Sequence, residues 1–349
     1  MKKKQFHKED SAIMADPNCE YAVDAENIVV EYITDDETVY AVNDVNIKLR
    51  KGKVLGLLGE TGAGKTSTVL ALLNMIPNPP GVIREGKIKI NGIDMLSLTP
   101  EQLEHVRGKE IAMIFQDPMT SLNPMYTVGD QIAESILIHD KCSKKEAWLR
   151  ACEMLELVGI PSDRAGEYPH QFSGGMKQRV IIAIALACSP QILIADEPTT
   201  ALDVTIQAQV LDLMRDLQKK LGTSMIMITH DLGIVAEICD EVAVMYGGRI
   251  IEQGTLKEIF NNTKHPYTEG LFNSLPNLED RTAKLKPIKG LMPDPSIKYE
   301  GCTFADRCNY ATEKCRASAP EKRYFSETHF VECCAYNEPS FHIERGAKK

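Results

Sequence analysis

Gly59-Glu60-Thr61-Gly62-Ala63-Gly64-Lys65-Thr66 is the stretch whose reading decides the fold. It fits the pattern G-x-x-x-x-G-K followed by Ser or Thr, comes after the apolar run Val54–Leu58 and precedes Ser67–Asn74, a plausible helix. Strand, glycine loop and helix is the context that a phosphate cradle needs, and an accidental glycine turn seldom has it. Gly62 and Gly64 carry no Cβ, so the N–H groups of the loop, through Ser67, are free to converge on phosphate oxygens. The helix N-terminus adds a partial positive charge. Lys65 then reaches the β- and γ-phosphates, and the Thr66 hydroxyl is a ligand for Mg²⁺.

Residues 192–197 read Ile-Leu-Ile-Ala-Asp-Glu, an apolar run that ends in two carboxylates. This suits a buried parallel strand opening onto a phosphate site. Alone, Asp-Glu-Pro is more often a plain turn. Downstream of a phosphate loop it assigns Asp196 to Mg²⁺ and Glu197 to the attacking water. Gln116 closes the strand-like run Ile111–Phe115 and is expected at Mg²⁺ or that water. His230 closes Met225–Thr229 and is expected at the γ-phosphate. Each is weak alone, but both stand at strand C-termini, where doubly wound sheets bind ligands.

A second anion-binding helix start is written in Phe172-Ser173-Gly174-Gly175-Met176, ahead of the apolar run Ile181–Ala187. Ser173 is a natural cap, and the two glycines expose the first N–H groups of a helix. This end has no lysine and no acidic metal ligand of its own. It is therefore expected to close on a nucleotide held by another subunit.

The chain has 349 residues, 43% hydrophobic and 26% charged, enough for one large domain with an appendage or for two modest domains. A net charge of −9 and the lack of a basic block oppose a nucleic-acid partner. No stretch approaches the roughly 18 apolar residues of a membrane span, and the basic start lacks the apolar region of a signal peptide. Residues 1–22 read as a loose arm. Short runs at Ile28–Val30, Ala41–Val45 and Lys87–Ile90, the last followed by an Asn91-Gly92 turn, predict an antiparallel sheet beside an α/β core. Helix starts are predicted at Thr99-Pro100, with Gln102 three residues after the cap, and at Ser143, where Glu146 completes a second capping box. Pro276–Pro295 reads as a linker or wrap-around loop. Cys19, Cys142, Cys152, Cys188 and Cys239 are scattered, and read as thiols in a reducing compartment.

Taken in order, these motifs resemble the ABC ATPases: phosphate loop 59–66, Gln116, signature 172–176, Asp196-Glu197, then Ala201-Leu202-Asp203, then His230. The resemblance implies a P-loop ABC nucleotide-binding domain over 23–260: an α/β core with an antiparallel β subdomain and a helical insert at about 118–185. A Cys-rich extension over 261–349 follows. It implies ATP hydrolysis, with Tyr32 stacking on adenine (Tyr40 is the rival) and Asp203 at the nucleotide. Ser173, Gly174 and Gly175 match the family signature; Met176 stands where the family has Gln. The runs Phe115–Pro124 and Ala195–Asp203, with His265-Pro266-Tyr267-Thr268, narrow the resemblance to ATP-binding subunits of oligopeptide, dipeptide and nickel importers. Such a subunit is expected at the cytoplasmic face of the membrane, with a related second ATPase, two permease subunits and, indirectly, an external solute-binding protein. A soluble ABC ATPase acting on nucleic acid is the rival reading. It is disfavoured because the stretch from Gln116 to Ser173 is too short for a long coiled-coil arm.

Cys302, Cys308, Cys315, Cys333 and Cys334 crowd the end of the chain. Four thiolates in a loop-rich segment suit Zn²⁺ or an iron–sulfur cluster. The spacing lacks the Cys-x-x-Cys pairs of zinc ribbons, and with the resemblance this points to a 4Fe–4S cluster on Cys302, Cys308, Cys315 and Cys333. Cys334 is the alternative fourth ligand.

Overall fold

The strand Val54–Leu58 lies inside an eight-stranded sheet. The structure is a computed structural model that describes residues 15–16, 18–200, 202–275, 287–338 and 340–343. Counts below refer to those residues. Most of the predicted arm, most of the Pro276–Pro295 segment and Ala201 lie outside them.

The sheet order is Lys322–Tyr324, Phe330–Glu332, Arg249–Thr255, Glu241–Tyr246, Val54–Leu58, Ser224–Thr229, Ile192–Asp196 and Ile111–Ile114. From Glu241–Tyr246 to Ile111–Ile114 the strands run parallel. Val54–Leu58, Ile192–Asp196 and Ser224–Thr229 are buried along their whole length. Both faces of the parallel part are covered, which is why these strands are continuous apolar runs without alternation. Their C-terminal ends face one way, so the phosphate loop, Gln116, Asp196-Glu197 and His230 emerge along one sheet edge.

A second, four-stranded antiparallel sheet is ordered Thr38–Arg50, Tyr21–Ile33, Gly81–Ile90, Ile93–Asp94. Asn91 and Gly92 have φ of 48° and 83°, the left-handed pair that a two-residue hairpin turn demands. Tyr21 already belongs to the first strand, so regular structure begins inside the stretch expected to be a loose arm.

Between Ile111–Ile114 and Ile192–Asp196 the chain forms the helices Val128–His139, Lys144–Leu157 and Gly174–Leu186. Val128, Ile132 and Ile136, and likewise Ala147, Ala151 and Leu155, recur every four residues and are fully buried in one core. That spacing places one stripe of each helix against its neighbours. Thr99 and Gln102 form the expected capping box. Ser143 accepts from the Glu146 N–H, so half of the second box forms.

The last part of the chain is not a simple appendage. Phe330–Glu332 pairs with Arg249–Thr255 and brings Lys322–Tyr324 with it, lengthening the main sheet. Glu252, fully buried, accepts from the N–H groups of Lys264 (2.6 Å) and His265 (2.9 Å) and lies 2.9 Å from His329 Nε2. A buried carboxylate is tolerated only when partnered this fully. No described helix is long and apolar enough to cross a membrane.

Candidate nucleotide site

Gly64 caps the helix Lys65–Leu72 with φ 99°, and a Cβ there would stand 2.4 Å from the Ala41 carbonyl oxygen. Only glycine satisfies both limits. Lys65 folds back over the loop: its Nζ donates to the carbonyls of Gly59 (2.8 Å) and Glu60 (2.9 Å). Burial lowers its pKa, opposed by the nearby charges of Glu197, Asp196 and Glu60. Phosphate oxygens are better partners for an ammonium than these carbonyls.

Thr66 Oγ1 donates to Asp196 Oδ2 at 2.9 Å. Asp196 is 2% exposed, and burial raises its pKa despite that hydrogen bond and the charge of Lys65. A hydroxyl and a buried carboxylate oxygen that lacks a full positive counter-charge make a donor set suited to a hard divalent cation. These residues therefore fit Mg²⁺.

Glu197 has φ 45°, strained for a residue with a side chain. The turn is pinned by its N–H donating to the Ile228 carbonyl (3.0 Å). Its carboxylate gathers Gln116 Nε2 (3.1 Å), Thr200 Oγ1 (3.1 Å) and His230 Nδ1 (3.0 Å). Burial works to raise its pKa, yet the hydrogen bond and charge of His230, with Thr200 and Lys65, outweigh it and hold the carboxyl below its usual range. Glu197 is therefore ionised at neutral pH, as a proton acceptor must be. Gln116 and His230 are thus brought together on Glu197.

A cavity of about 690 Å³ opens beside the loop, bordered by Thr61, Gly62, Lys65, Thr66, Gln116 and Glu197. Tyr32 and Tyr40 both line it. The Tyr32 hydroxyl lies 3.2 Å from Ser67 Oγ at the start of the loop helix. Tyr40 is held by its N–H donating to the Pro295 carbonyl (2.8 Å), and Lys298 Nζ stands 5.9 Å from its ring. One wall, from Pro293 to Thr303, comes from the C-terminal region, which sequence reasoning did not place here. Nor did it assign a contact to Tyr267, whose hydroxyl accepts from the Glu60 N–H (3.0 Å). The only signal was the His265–Thr268 motif, quoted without a role.

The signature residues are elsewhere. Ser173 caps Gly174–Leu186 by accepting from the Met176 N–H, and Asp203 caps Val204–Leu221 by accepting from the Ile206 N–H. Neither they nor Gly174 and Gly175 line the cavity. Met176 has a local use: its Sδ takes a 3.5 Å contact from Arg164, whose guanidinium stacks on Phe172 at 4.6 Å.

The tail cysteines depart from expectation. Among the described residues no group of three or more His, Cys, Asp or Glu side chains is arranged to hold a metal ion. The 4Fe–4S cluster expected on Cys302, Cys308, Cys315 and Cys333 therefore has no support from that arrangement. Burial, with neighbouring thiols, pushes Cys302 and Cys333 up to about 12. Cys308 and Cys315 accept from the N–H groups of Tyr310 (3.4 Å) and Thr312 (3.5 Å).

Residues 42–200 match the ABC transporter family, and residues 251–315 match the oligopeptide/dipeptide transporter C-terminal region. The oligopeptide transport ATP-binding protein OppD of Bacillus subtilis is 50% identical over 312 residues, 88% of this chain and 87% of that protein. The dipeptide transport ATP-binding protein DppD of the same organism is 46% identical over 325 residues, covering 93% and 97%. A dimeric ATP-binding cassette in a post-hydrolysis state, bound to ADP and phosphate, superposes with TM-score 0.60 at 27% identity, covering 67% of this chain and 98% of that one. The cassette cbiO1 from Clostridium perfringens, part of an ABC transporter complex, does so with TM-score 0.60 at 30% identity, covering 70% and 92%.

Proposed function

This chain belongs to the ABC transporter ATP-binding proteins of the oligopeptide and dipeptide transport group, and from that premise we propose how it uses ATP to drive import of di- or oligopeptides. The observation that carries the reading is the convergence of Gln116, Thr200 and His230 on Glu197, beside a loop lysine whose partners are replaceable carbonyls. ATP enters the cavity with its triphosphate on the N–H groups of residues 59–67, and Lys65 exchanges loop carbonyls for β- and γ-phosphate oxygens. Tyr32 stacks on the adenine. Thr66 and Asp196, with Gln116 nearby, would hold Mg²⁺, which would supply neutralisation of charge on the phosphates. Glu197 orients the attacking water and accepts its proton, while His230 holds the carboxylate in place and faces the γ-phosphate.

Half of the site is missing from a single chain. The N–H groups behind Ser173, Gly174 and Gly175, with Asp203, lie away from the cavity, so we assign them to the nucleotide of a second, related ATPase subunit paired head to tail. The relative found as a dimer with ADP and phosphate supports this arrangement. The pair would sit peripherally at the cytoplasmic face, moving two permease subunits through the surface around Gln116–Asn123. A peptide-binding protein outside would deliver the solute, and nucleic acid has no part. The test is co-expression with the neighbouring membrane subunits, followed by ATP-dependent peptide uptake into vesicles. Uptake of nickel or another small solute in place of peptides would move the assignment to that branch, and a co-expressed complex with no ATP-dependent uptake of any solute would overturn it.

A structural 4Fe–4S cluster on Cys302, Cys308, Cys315 and Cys333 is the finer proposal for the tail. The mutual influence of these thiols, which helps raise the pKa of Cys302 and Cys333, supports it; the lack of an assembled ligand set among the described residues opposes it. Iron, sulfide and zinc analysis after anaerobic purification decides between cluster, Zn²⁺ and free thiols.

A further inference from the structure

Arg307 lies in the tail between Cys302 and Cys308, yet its guanidinium is at the phosphate loop. Nη1 donates to Glu60 Oε2 at 2.9 Å and Nη2 to Glu60 Oε1 at 3.2 Å, a two-pronged pairing. The Arg307 side chain is 7% exposed. Its Nε donates to the Lys289 carbonyl (3.0 Å), and Nη1 also meets the Tyr246 hydroxyl (3.3 Å). The fork is therefore anchored from behind by the tail and the main sheet, and its remaining edge is given to Glu60. Lysine has no such fixed fork.

Glu60 is the second residue of the phosphate loop, and each of its polar groups is engaged. The carboxylate takes Arg307, the N–H donates to the Tyr267 hydroxyl, and the carbonyl accepts from Lys65. Two of these partners belong to the C-terminal region. The pairing has two physical consequences. It holds the backbone of the loop in one conformation, and it cancels a negative charge beside the place where a triphosphate must sit. We propose that Arg307 is a positioning residue for the ATP site: through Glu60 it holds and neutralises the phosphate loop, so that the C-terminal region is a working part of ATP binding. Pro293–Thr303, which walls the same cavity, is continuous with this segment.

The proposal rests on the ATP site described above, and its test separates the two. ATP affinity is measured by titration calorimetry on the full chain, with melting temperature and the turnover of the assembled ATPase pair alongside, for Arg307→Met, Glu60→Gln, the double variant and Lys65→Ala. Arg307→Met should weaken ATP binding about tenfold, with turnover at saturating ATP within about threefold of the parent, since a positioning contact made before the chemical step acts on affinity. In the Glu60→Gln background the same change should alter affinity by less than about twofold, because coupled residues are not additive. An unchanged affinity in Arg307→Met, or an equal loss in both backgrounds, overturns the proposal. If Arg307→Met does not fold, Arg307→Lys carries the test: about a threefold loss with Glu60 present, and none in the Glu60→Gln background. Lys65→Ala must lose ATP binding; if it does not, the site itself is misassigned.

Discussion

Replacing Glu197 by Gln exchanges a carboxylate for an amide of nearly the same size at the point where three strands end. The side chain is 11% exposed and receives Gln116, Thr200 and His230. The amide oxygen still accepts, while the amide nitrogen fills the place of the second acceptor. The structural loss is about one hydrogen bond, on the order of 1 kcal/mol. The chemical loss is larger, because the proton acceptor is gone: a positioned general base contributes roughly 10²- to 10⁴-fold in rate. That corresponds to about 2.7–5.5 kcal/mol of barrier. Catalysis therefore fails long before folding does. ATP binding should be kept, since Lys65 loses a competing negative neighbour and no phosphate donor is touched. The assay is phosphate release in single-turnover mode, with ATP-dependent association of the ATPase pair followed by gel filtration. The expected result is a stable ATP-bound pair with turnover down at least about a hundredfold. Turnover at the parental rate would refute the role given to Glu197.

Gly175→Ala would place a Cβ 2.4 Å from Ile206 Cγ2, so melting should shift by about 1–3 kcal/mol of stability and be partly restored by Ile206→Ala; ATP binding to the chain's own phosphate loop should not change. Tyr32→Ala should weaken ATP binding by roughly 1–3 kcal/mol, the worth of one base–aromatic stack, and a larger loss in Tyr40→Ala would transfer the adenine to Tyr40. Glu258 is held at about 2: burial works to raise it, but hydrogen bonds from Ser326, Thr255 and Thr328 prevail. Because this pKa is depressed from 4.5, its stabilisation is fully present above pH 4.5 and fades as pH falls towards about 2. Glu258→Gln should accordingly lower the melting temperature at neutral pH, with the gap to the parent closing through that acid range.

Local chemistry made much of this protein legible in one dimension. The phosphate loop, the caps at Thr99 and Ser173, and the Asn91-Gly92 turn each depend on residues adjacent in sequence, so pattern alone places them. Strand runs that end in Gln116, Asp196 and His230 were readable because a parallel sheet buries both faces and puts its chemistry at one set of ends. The Ser143 box formed only in part, since a capping side chain has water as a competitor.

The C-terminal region was not legible in that way. Arg307 and Glu60 are 247 residues apart, and nothing near either residue announces the other. The same holds for Glu252 with His329 and for Pro295 with Tyr40. The cysteine count suggested a metal centre, whereas among the described residues no group of three or more candidate ligands is arranged to hold one. By itself the sequence determined the phosphate-binding chemistry, because its elements are short-range and stereochemically strict. Only the tertiary structure decided that the tail lengthens the main sheet and reaches back to the phosphate loop. Long-range ion pairs and strand pairings are chosen by which surfaces the packed core brings together, and that choice has no local signature.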